Sequence, residues 1–357
     1  MSTSGKWLLI LGIIALVSAI AFGFSVAALG VQDGNYNISM FGNNVHIMDG
    51  IYFGGATMGN TEILFRDGQT NIRYDFEQNK EYTGSFSSSD FDDIKISLAS
   101  CKANVICADT DKVEVVYTTG NRPVSFTAQL NDGTLSLDEK VNIGVNLFSF
   151  GSSMSSTLTL TIPETLYNSI DINLASGKIV SSGIKSDNFK ANVASGTLEL
   201  GMYAEDIDIN IASGKMILTN CTGEKADRVN IQAASGSIEM TGFKADDTDV
   251  GLASGSVVLN GISGRVKGDL ASGKLIMTYA EWDDDLTVKL LSGKADVTLP
   301  AGSGVSTTLK RLSGSMTVDL DGVSVKYTNS LSGAVTGGSN VHTVDSDIAS
   351  GSVHIHN

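Results

Sequence analysis

The chain has 357 residues and a formal net charge of −15, with 18% charged and 42% hydrophobic residues. Such acidity disfavours nucleic acid and anionic lipid headgroups as partners, because both carry negative charge. The length allows two average domains or one elongated domain, and the composition, with 39 glycines, is neither that of a disordered chain nor that of a coiled coil.

The first element is an uncharged apolar run from Trp7 to Gly30, preceded by Lys6. About 20 apolar residues span a bilayer, and no cleavage site of the signal-peptide type follows this run. We therefore predict a transmembrane anchor over residues 7–30, with residues 1–6 in the cytoplasm and the rest outside the cell. Cleavage as a signal peptide stays an alternative. A stripe of small residues on this helix is compatible with self-association: Ala15, Ala19, Gly23 and Ala27.

Residues 31–90 are rich in Gly, Asn and Ser and predict a spacer with a few short strands. From residue 91 the sequence has the alternating apolar pattern that is typical of β-strands. The stretch DDIKISLASCKANVI, residues 92–106, is a first version of a later repeat, with Cys101 where a glycine stands afterwards. Farther on, Asn131-Asp132-Gly133 predicts a hairpin turn.

A Ser-Gly pair then recurs at intervals of 18 to 22 residues. A fixed period of this size is typical of a solenoid, in which stacked coils share one core. We predict an all-β fold, a parallel β-solenoid over residues 91–357 built as a single-stranded β-helix of about 19 residues per coil, with regular coils over 168–357. The predicted corners are Gly177, Gly196, Gly214, Gly236, Gly255, Gly273, Gly293, Gly314, Gly333 and Gly351.

The apolar pattern around each pair indicates a strand, a corner and a second strand. The second residue after the glycine is apolar in all ten repeats, whereas the third before it fails at Arg311 and Ser330 and the fourth after it fails at Ser181 and Gly337. The buried parity shifts by one residue at the pair, so the chain must bend there. We expect glycine to permit a tight corner and close approach between coils, and serine to point inward and bond along the stack.

Two further features concern the ends of the repeat. Pro163 precedes Gly177 by fourteen residues and Pro300 precedes Gly314 by the same number, so one strand-proline-strand-corner unit is written twice. Exposed coil ends invite edge pairing, and we expect a loop cap or self-association there.

Acidic clusters are the candidates for chemistry, and both are predicted to lie in return loops. Loop carboxylates can hold Ca²⁺ or act as an acid/base pair in polysaccharide cleavage. Neither cluster has EF-hand spacing, so we favour solvated surface charge and predict no catalytic residue, cofactor or metal. The weak Ca²⁺ candidates are Asp246, Asp247, Asp249, Asp283, Asp284 and Asp285.

The histidines and cysteines form no recognisable ligand set by spacing. His354 and His356 alternate on the last predicted strand and therefore share a face, which we interpret as an exposed pair at the open end of the stack. Cys101 and Cys107 are either two buried thiols or, if adjacent strands bring them together, a disulfide.

Three stretches resemble the bacterial putative-adhesin family with β-strand repeats, a family of unknown function with cell-envelope members in Gram-positive bacteria. They are FDDIKISLASCKANVI from Phe91, NDGTLSLDEK from Asn131 and LTLTIPETLYNSIDINLASGKI from Leu158, followed by the Ser-Gly series to Gly351. The resemblance covers about residues 91–356. It implies a β-solenoid in the envelope and an adhesin role, and it supplies no catalytic residues.

We therefore predict a non-enzymatic, single-pass membrane protein whose extracytoplasmic β-solenoid is an adhesin or envelope scaffold. Its partners would be the membrane and an envelope polysaccharide, surface or protein ligand, with self-association through the solenoid ends or the small-residue stripe. One alternative is an accessory to envelope-stress sensing that contacts membrane regulators. Another, less favoured, is a glycan-active β-helix enzyme.

Overall fold

The computed structural model describes residues 80–120, 124–140 and 155–357 in full. It also describes the backbone of Val141 and of five short strands: β1 (Tyr36–Met40), β2 (Asn43–Ile47), β3 (Phe65–Arg66), β4 (Gln69–Thr70) and β5 (Ile72–Tyr74). The anchor predicted over residues 7–30, with its small-residue stripe, lies outside the described residues. Within them, the helical structure is one 3-10 turn, Ser88–Asp90, and no helix has the length and apolarity needed to cross a membrane.

The described chain is all-β. The remaining strands are β6 (Glu81–Ser87), β7 (Asp93–Leu98), β8 (Lys102–Ala108), β9 (Lys112–Thr118), β10 (Val124–Asn131), β11 (Thr134–Val141), β12 (Thr157–Pro163), β13 (Leu166–Leu174), β14 (Lys178–Val193), β15 (Thr197–Ile211), β16 (Lys215–Asn220), β17 (Ala226–Ala233), β18 (Ser237–Thr241), β19 (Ala245–Leu252), β20 (Ser256–Ile262), β21 (Arg265–Leu270), β22 (Lys274–Tyr279), β23 (Leu286–Leu290), β24 (Lys294–Thr298), β25 (Ser303–Arg311), β26 (Ser315–Leu320), β27 (Val323–Tyr327), β28 (Leu331–Gly337), β29 (Asn340–Ile348) and β30 (Ser352–His356).

Most of these strands stack in parallel as two faces joined at the Ser-Gly corners, which gives a solenoid-like structure. The first sheet holds the strands that precede a corner, in the spatial order β11, β7, β13, 188–193, 206–211, β17, β19, β21, β23, β29 and β25. The second sheet holds those that follow it, in the order β12, β8, 178–182, 197–202, β16, β18, β20, β22, β24, β30 and β26. Alternate apolar residues of both sheets point inward and form one continuous core.

Nine of the ten predicted glycines form a column at the corners. In every corner but the last of the stack, that of Gly314, the glycine carbonyl oxygen accepts a hydrogen bond from the residue after the next corner glycine, as between Gly177 and the N–H of Thr197 at 2.9 Å. This bond places the oxygen where a Cβ would stand, 2.3 Å from a Cβ built on Gly214 and 2.0 Å from one built on Gly255. None of the nine has a positive φ. Close approach between coils, and not an unusual backbone angle, therefore requires glycine here.

Gly333 is not a corner, so that prediction was wrong. It lies in β28, which runs antiparallel to β25, has a φ of +73° and has no atom within 4 Å of a built Cβ. Val335, two residues later, is 63% exposed. This repeat lacked apolar residues at both flanking positions, Ser330 and Gly337, and so could not bury a second strand face.

The corner serines bond along the stack as predicted, but they do not point inward. Each hydroxyl is on the exposed side of its corner and donates to the carbonyl that precedes the neighbouring coil's corner pair, as Ser195 Oγ does to Ala175 at 3.0 Å. The outward position follows from the bend itself, since the inner side of the corner is filled by apolar side chains of the flanking strands. The series is Ser176, Ser195, Ser213, Ser235, Ser254, Ser272, Ser292, Ser350 and Ser313.

Spatial order departs from chain order at both ends of the stack. The last coil in the chain, β29–β30 with Gly351, lies between the coil of Gly293 and that of Gly314. Likewise the first coil, β7–β8 with Cys101, lies between β11–β12 and β13–β14. His354 and His356 are therefore inside the stack, and their predicted place at its open end was wrong.

The two proline units are the connections that step over these inserted coils. Pro163 ends β12, and the chain then passes the β7–β8 coil to begin β13. Pro300 follows β24, and the chain then passes the β29–β30 coil to begin β25. The repeated sequence thus corresponds to a repeated topological step.

Both ends of the stack are covered, as expected, but by antiparallel strands and not by a loop. At one end β10 pairs with β11 through the predicted turn at Asp132 and Gly133, and β9 pairs with β12 and β6. Tyr82 and Phe86 of β6 are buried in the core, so the folded part begins ahead of residue 91. At the other end β27 pairs with β26, and β28 with β25.

Glu139 completes the capped end near Cys101. Its carboxylate, in a residue only 4% exposed, accepts the backbone N–H groups of Ala99, Ser100 and Cys101 at 2.8–3.1 Å. It also accepts the hydroxyls of Tyr117 and Ser156. Elsewhere in the stack, carbonyls of the neighbouring coil accept the corner N–H groups, as Leu98 accepts that of Ala175. One carboxylate therefore substitutes for a missing corner.

Gly255→Ala should destabilise the chain by about 3 kcal/mol or more, because the new Cβ overlaps a backbone oxygen that is fixed in the ladder. Gly223→Ala is the control: Gly223 is in an exposed loop with open space around a Cβ, and only its φ of +78° is unfavourable, so we expect about 1 kcal/mol. Urea denaturation of both variants measures the difference. Equal losses would contradict the role of the column.

Glu139→Gln should cost about 2–4 kcal/mol, because an amide cannot accept all five donors and buried donors without a partner are expensive. The matched control is Glu199→Gln, which alters a half-exposed ion pair with Lys178 and should cost less than about 1 kcal/mol. Urea denaturation again gives the comparison, and an equally small loss at Glu139 would show that the corner does not depend on it.

Candidate functional site

The first acidic cluster lies within a strand, where a return loop was predicted. Asp246, Asp247 and Asp249 belong to β19 and point to neighbouring coils. Asp247 pairs with Arg265 at 2.8 Å, Asp249 with Lys267 at 3.4 Å, and Asp246 with Lys225. These half-exposed pairs set cations of adjacent strands opposite the carboxylates. The arrangement neutralises the row of charge along the sheet and does not gather oxygens around one point.

The carboxylates of the second acidic cluster accept hydrogen bonds from backbone N–H groups. Asp283 Oδ1 accepts the N–H of Gly264 at 2.7 Å, and Asp285 Oδ1 accepts that of Thr343, in β29, at 2.6 Å. Asp284 accepts the N–H of Asp285 and pairs with Arg265 at 3.6 Å. All three carboxylates therefore have structural partners, and Asp285 fastens the inserted strand.

Trp282 extends this fastening. Its indole N–H donates to the carbonyl of Gly304 at 2.9 Å, and its own carbonyl accepts from Asn340 Nδ2 at 2.6 Å. The ring stands edge-on to His342, with centroids 5.6 Å apart, and is 3% exposed. The EWDDD segment, residues 281–285, thus holds β29 in place through these contacts.

A polar groove crosses the outer surface of the first sheet. It has a volume of about 680 Å³ and spans several coils. Polar side chains line it at the same two positions of successive coils: Ser169, Asp171, Asn188, Lys190, Asp206, Asp208, Arg228, Asn230 and Asp249. Donors and acceptors alternate along the stack, with Arg228 against Asp206 at 3.1 Å and Asn230 donating to Asp208 at 3.0 Å. Burial raises the pKa of Asp171, which the nearby Lys95 and Lys190 oppose.

A second cluster lies on the outer face of the second sheet, near the end of the stack that β27 and β28 cover. Asp296 of β24 and His354 of β30 are directly opposite in the ladder, as are His356 of β30 and Asp319 of β26. Asp296 Oδ1 is 3.4 Å from both His354 Nδ1 and His356 Nε2, and these ligand-type atoms all lie within 4.8 Å of one another. His354 Nε2 is 2.8 Å from Asp319 Oδ2. The four side chains are 33–45% exposed.

The pairing with Asp319 fixes how His354 is used. A hydrogen bond from Ser324, followed by that from His354, lowers the pKa of Asp319, which keeps it a carboxylate that accepts the Nε2–H. The other nitrogen, Nδ1, faces Asp296 Oδ1 at 3.4 Å. Two imidazoles and a carboxylate in this arrangement can hold a transition metal ion.

Sequence spacing did not reveal this group. The shared face of His354 and His356 was predicted correctly, but Asp296 and Asp319 come from β24 and β26, which flank β30 only because the last coil is inserted between them. These residues could be identified as one ligand set only once the order of the strands was known. The one available signal was the pair of aspartates placed at outward positions of apolar strands.

The three cysteine thiols have pKa values above the ordinary value for a thiol. Cys101 and Cys107 are free thiols, so the disulfide left open by the sequence is not formed, and Cys221 is free as well. Burial, and then the charge of Glu139, raises the pKa of the Cys101 thiol, and burial also raises that of Cys107. A thiol with a raised pKa is a poor nucleophile at neutral pH.

Comparison with known proteins gives one family and several distant folds. The family model described as Toastrack DUF4097 matches residues 91–356. No curated protein matches the chain. A structure of a putative adhesin from Parabacteroides distasonis ATCC 8503 is 14% identical, with a TM-score of 0.46, over 78% of this chain and 97% of that one.

Two further solved structures are similarly distant. A putative adhesin from Parabacteroides merdae ATCC 43184 is 12% identical with a TM-score of 0.46, over 77% of this chain and 96% of that one. A putative lipid binding protein from Parabacteroides distasonis ATCC 8503 is 15% identical with a TM-score of 0.42, over the same shares of 77% and 96%.

Asp285→Ala should destabilise the chain by about 1–3 kcal/mol, because the N–H of Thr343 loses its acceptor. Asp247→Ala, which removes an exposed ion pair, is the control and should cost less than about 1 kcal/mol. Thermal unfolding with and without millimolar Ca²⁺ should give the same midpoint for the unmodified chain. A rise with Ca²⁺ that Asp285→Ala abolishes would instead make this cluster a calcium site.

Proposed function

Since the chain belongs to the Toastrack DUF4097 family, a bacterial family of unknown function, we propose that it is a non-enzymatic, adhesin-like protein. Its β-stack is a rigid scaffold that presents polar side chains to a ligand. The carboxylates that the sequence offers for acid/base chemistry instead hold cations and backbone N–H groups, as described above. This use of the acidic residues supports a binding role over glycan cleavage.

The polar groove of the first sheet is the observation that carries the proposal. Its side chains repeat with the coil spacing, which is about 4.8 Å between adjacent strands. A surface with regularly spaced donors and acceptors fits an extended polymer better than a compact small molecule. Both signs of charge are present, with Lys190 and Arg228 beside several aspartates.

An envelope polysaccharide is the ligand class that this chemistry favours. Its hydroxyls both donate and accept hydrogen bonds, so they match a mixed row of carboxylates, amides and cations. The net charge of −15 disfavours strongly anionic polymers, since the whole surface would repel them.

The location follows from the sequence. We propose that residues 7–30 anchor the chain in the cell membrane, with residues 1–6 in the cytoplasm and the β-stack outside. The uncharged apolar run and the single flanking Lys6 support this orientation. A spacer would then hold the stack away from the bilayer and leave the groove accessible to the wall.

The test is binding of the full-length chain, reconstituted in lipid nanodiscs, to isolated cell-wall polysaccharide. Lys190→Ala combined with Arg228→Ala should weaken binding at least about tenfold, since hydrogen bonds to charged groups contribute about 1.5–3 kcal/mol each. The matched control is Lys215→Ala with Lys274→Ala, which removes two exposed cations from the second sheet. Equal effects in both pairs, or release of sugar fragments by the unmodified chain, would refute the proposal.

A second experiment separates adhesion from envelope-stress sensing. Residues 7–30 are replaced by an unrelated membrane span of the same length. Adhesion should be retained, because the groove and its scaffold are unchanged. An unchanged envelope-stress response in this variant is the result expected of an adhesin alone. Loss of that response while polysaccharide binding survives would instead show that the anchor contacts a regulator, and would support the sensing role.

A further inference from the structure

The side chains of Asp296, His354 and His356 share one point on the outer face of the second sheet. Each comes from a strand whose inward residues are buried in the core, so the backbone beneath them is fixed. The carboxylate of Asp296 is directly across the ladder from His354, and His356 is two residues farther along the same strand and face. The three groups are therefore held together by the fold and not by flexible loops.

Two of their three separations suit a tetrahedral ion, and the third, between the two imidazole nitrogens, lies within 4.8 Å. In a zinc site with bonds of about 2.0–2.1 Å, adjacent ligand atoms of a tetrahedron are about 3.3–3.4 Å apart. Asp296 Oδ1 is 3.4 Å from both imidazole nitrogens. The two rings are stacked, with centroids 4.8 Å apart and planes inclined by 28°, and binding of an ion would require them to rotate until both nitrogens point to one centre.

Asp296 is also incompletely satisfied. Its Oδ1 is buried from solvent and has no hydrogen-bond partner, although two imidazoles face it. Buried carboxylate oxygens without a partner are uncommon and call for an explanation. An ion between the oxygen and the two nitrogens supplies one.

Asp319 does not face the ion, but it contacts His354 and can orient its ring. Ligating histidines commonly donate their second N–H to a carboxylate, which orients the ring and raises its basicity. His354 makes this contact from Nε2 to Asp319 Oδ2 at 2.8 Å and leaves Nδ1 for the ion. His356 Nε2 has only Thr298 Oγ1, at 3.3 Å, as a competing partner.

We propose that Asp296, His354 and His356 bind Zn²⁺, with Asp319 as the positioning residue for His354. Two nitrogen donors and one carboxylate suit zinc and not Ca²⁺, which takes six or more oxygen ligands. The partly exposed side chains leave the fourth position to water. The ion joins β30 to β24 directly and to β26 through Asp319, and so it fastens the inserted C-terminal coil between its neighbours.

The test uses the full-length chain, purified in detergent and freed of metal with a chelator, titrated with ZnCl₂ by calorimetry. The unmodified chain should bind one Zn²⁺. Asp319→Asn should weaken binding about 10–100-fold, as expected for an outer partner, and His354→Gln and His356→Gln should weaken it further. His342→Gln, whose ring contacts Trp282 and not the cluster, is the matched control and should bind as the unmodified chain does.

A second readout does not depend on the variants. Zn²⁺ should slow amide hydrogen exchange in residues 340–357 of the unmodified chain and raise its midpoint of thermal unfolding, because only the folded state assembles the site. Co²⁺ in its place should give the visible absorption of a four-coordinate ion. Stoichiometric binding that persists unchanged in both histidine variants would overturn the proposal. So would stability that responds to pH through the histidine range but not to Zn²⁺, since that result defines a simple ion-pair cluster.

Discussion

The structure depends on how closely successive corners approach one another. Each corner carbonyl except the last of the stack is bonded to the N–H just beyond the next corner glycine, and this bond occupies the space of a Cβ. The ladder, the serine hydroxyls and the shared core all require that spacing. A side chain at the corner would force the coils apart locally, and apolar residues of both sheets would lose contact together. A dipeptide is therefore repeated while most other positions of the coil vary.

A stack built in this way would leave unpaired backbone N–H and C=O groups at its two ends. Both ends of this protein are closed in the same way. Antiparallel strands cover each end, and the first and last coils of the chain, β7–β8 and β29–β30, lie one level further in. Each inserted coil has parallel neighbours on both sides, so its hydrogen bonds are all used. Where a corner lacks a neighbour, the buried carboxylate of Glu139 accepts three backbone N–H groups. The edges of the parallel sheets are thereby covered by antiparallel strands, which removes the most regular template for pairing with another chain.

The sequence predicted the repeated part well because its signal is periodic. The apolar residue after each corner, such as Leu198 or Met216, is buried wherever the coil exists. At Gly333 that signal was incomplete, and the structure has an edge hairpin there. Asp321 and Gly322, which form the turn between β26 and β27 with φ of 50° and 78°, are a hairpin signal that could have identified it.

The insertion of terminal coils was beyond sequence reasoning of this kind. Periodicity says that coils stack, but it carries no information on which coil is next to which when their inward residues are alike. Val353, Ala295 and Met316 occupy the same position in the coils of Gly351, Gly293 and Gly314, and any of these fits against any other. The order is set by the connections, as where the chain at Pro300 steps over one level. The charged cluster at Asp296 depends wholly on that order.

Outward positions show where function can arise on such a scaffold. The residue three after the corner glycine points away from the core, and it varies from coil to coil between apolar residues such as Ile217 and Val258 and the carboxylates Glu199 and Glu239. Near the end covered by β27 and β28, the same position is occupied by Asp296 and His354. Neither the corner nor the core demands this change, because the inward neighbours Val297 and Val353 remain apolar and buried. Because packing constrains only the inward row, the outward row is free to carry charge, as it does at Glu199 and Glu239. What distinguishes the row at Asp296 is that two imidazoles meet a carboxylate there, and this combination supports the proposed metal site.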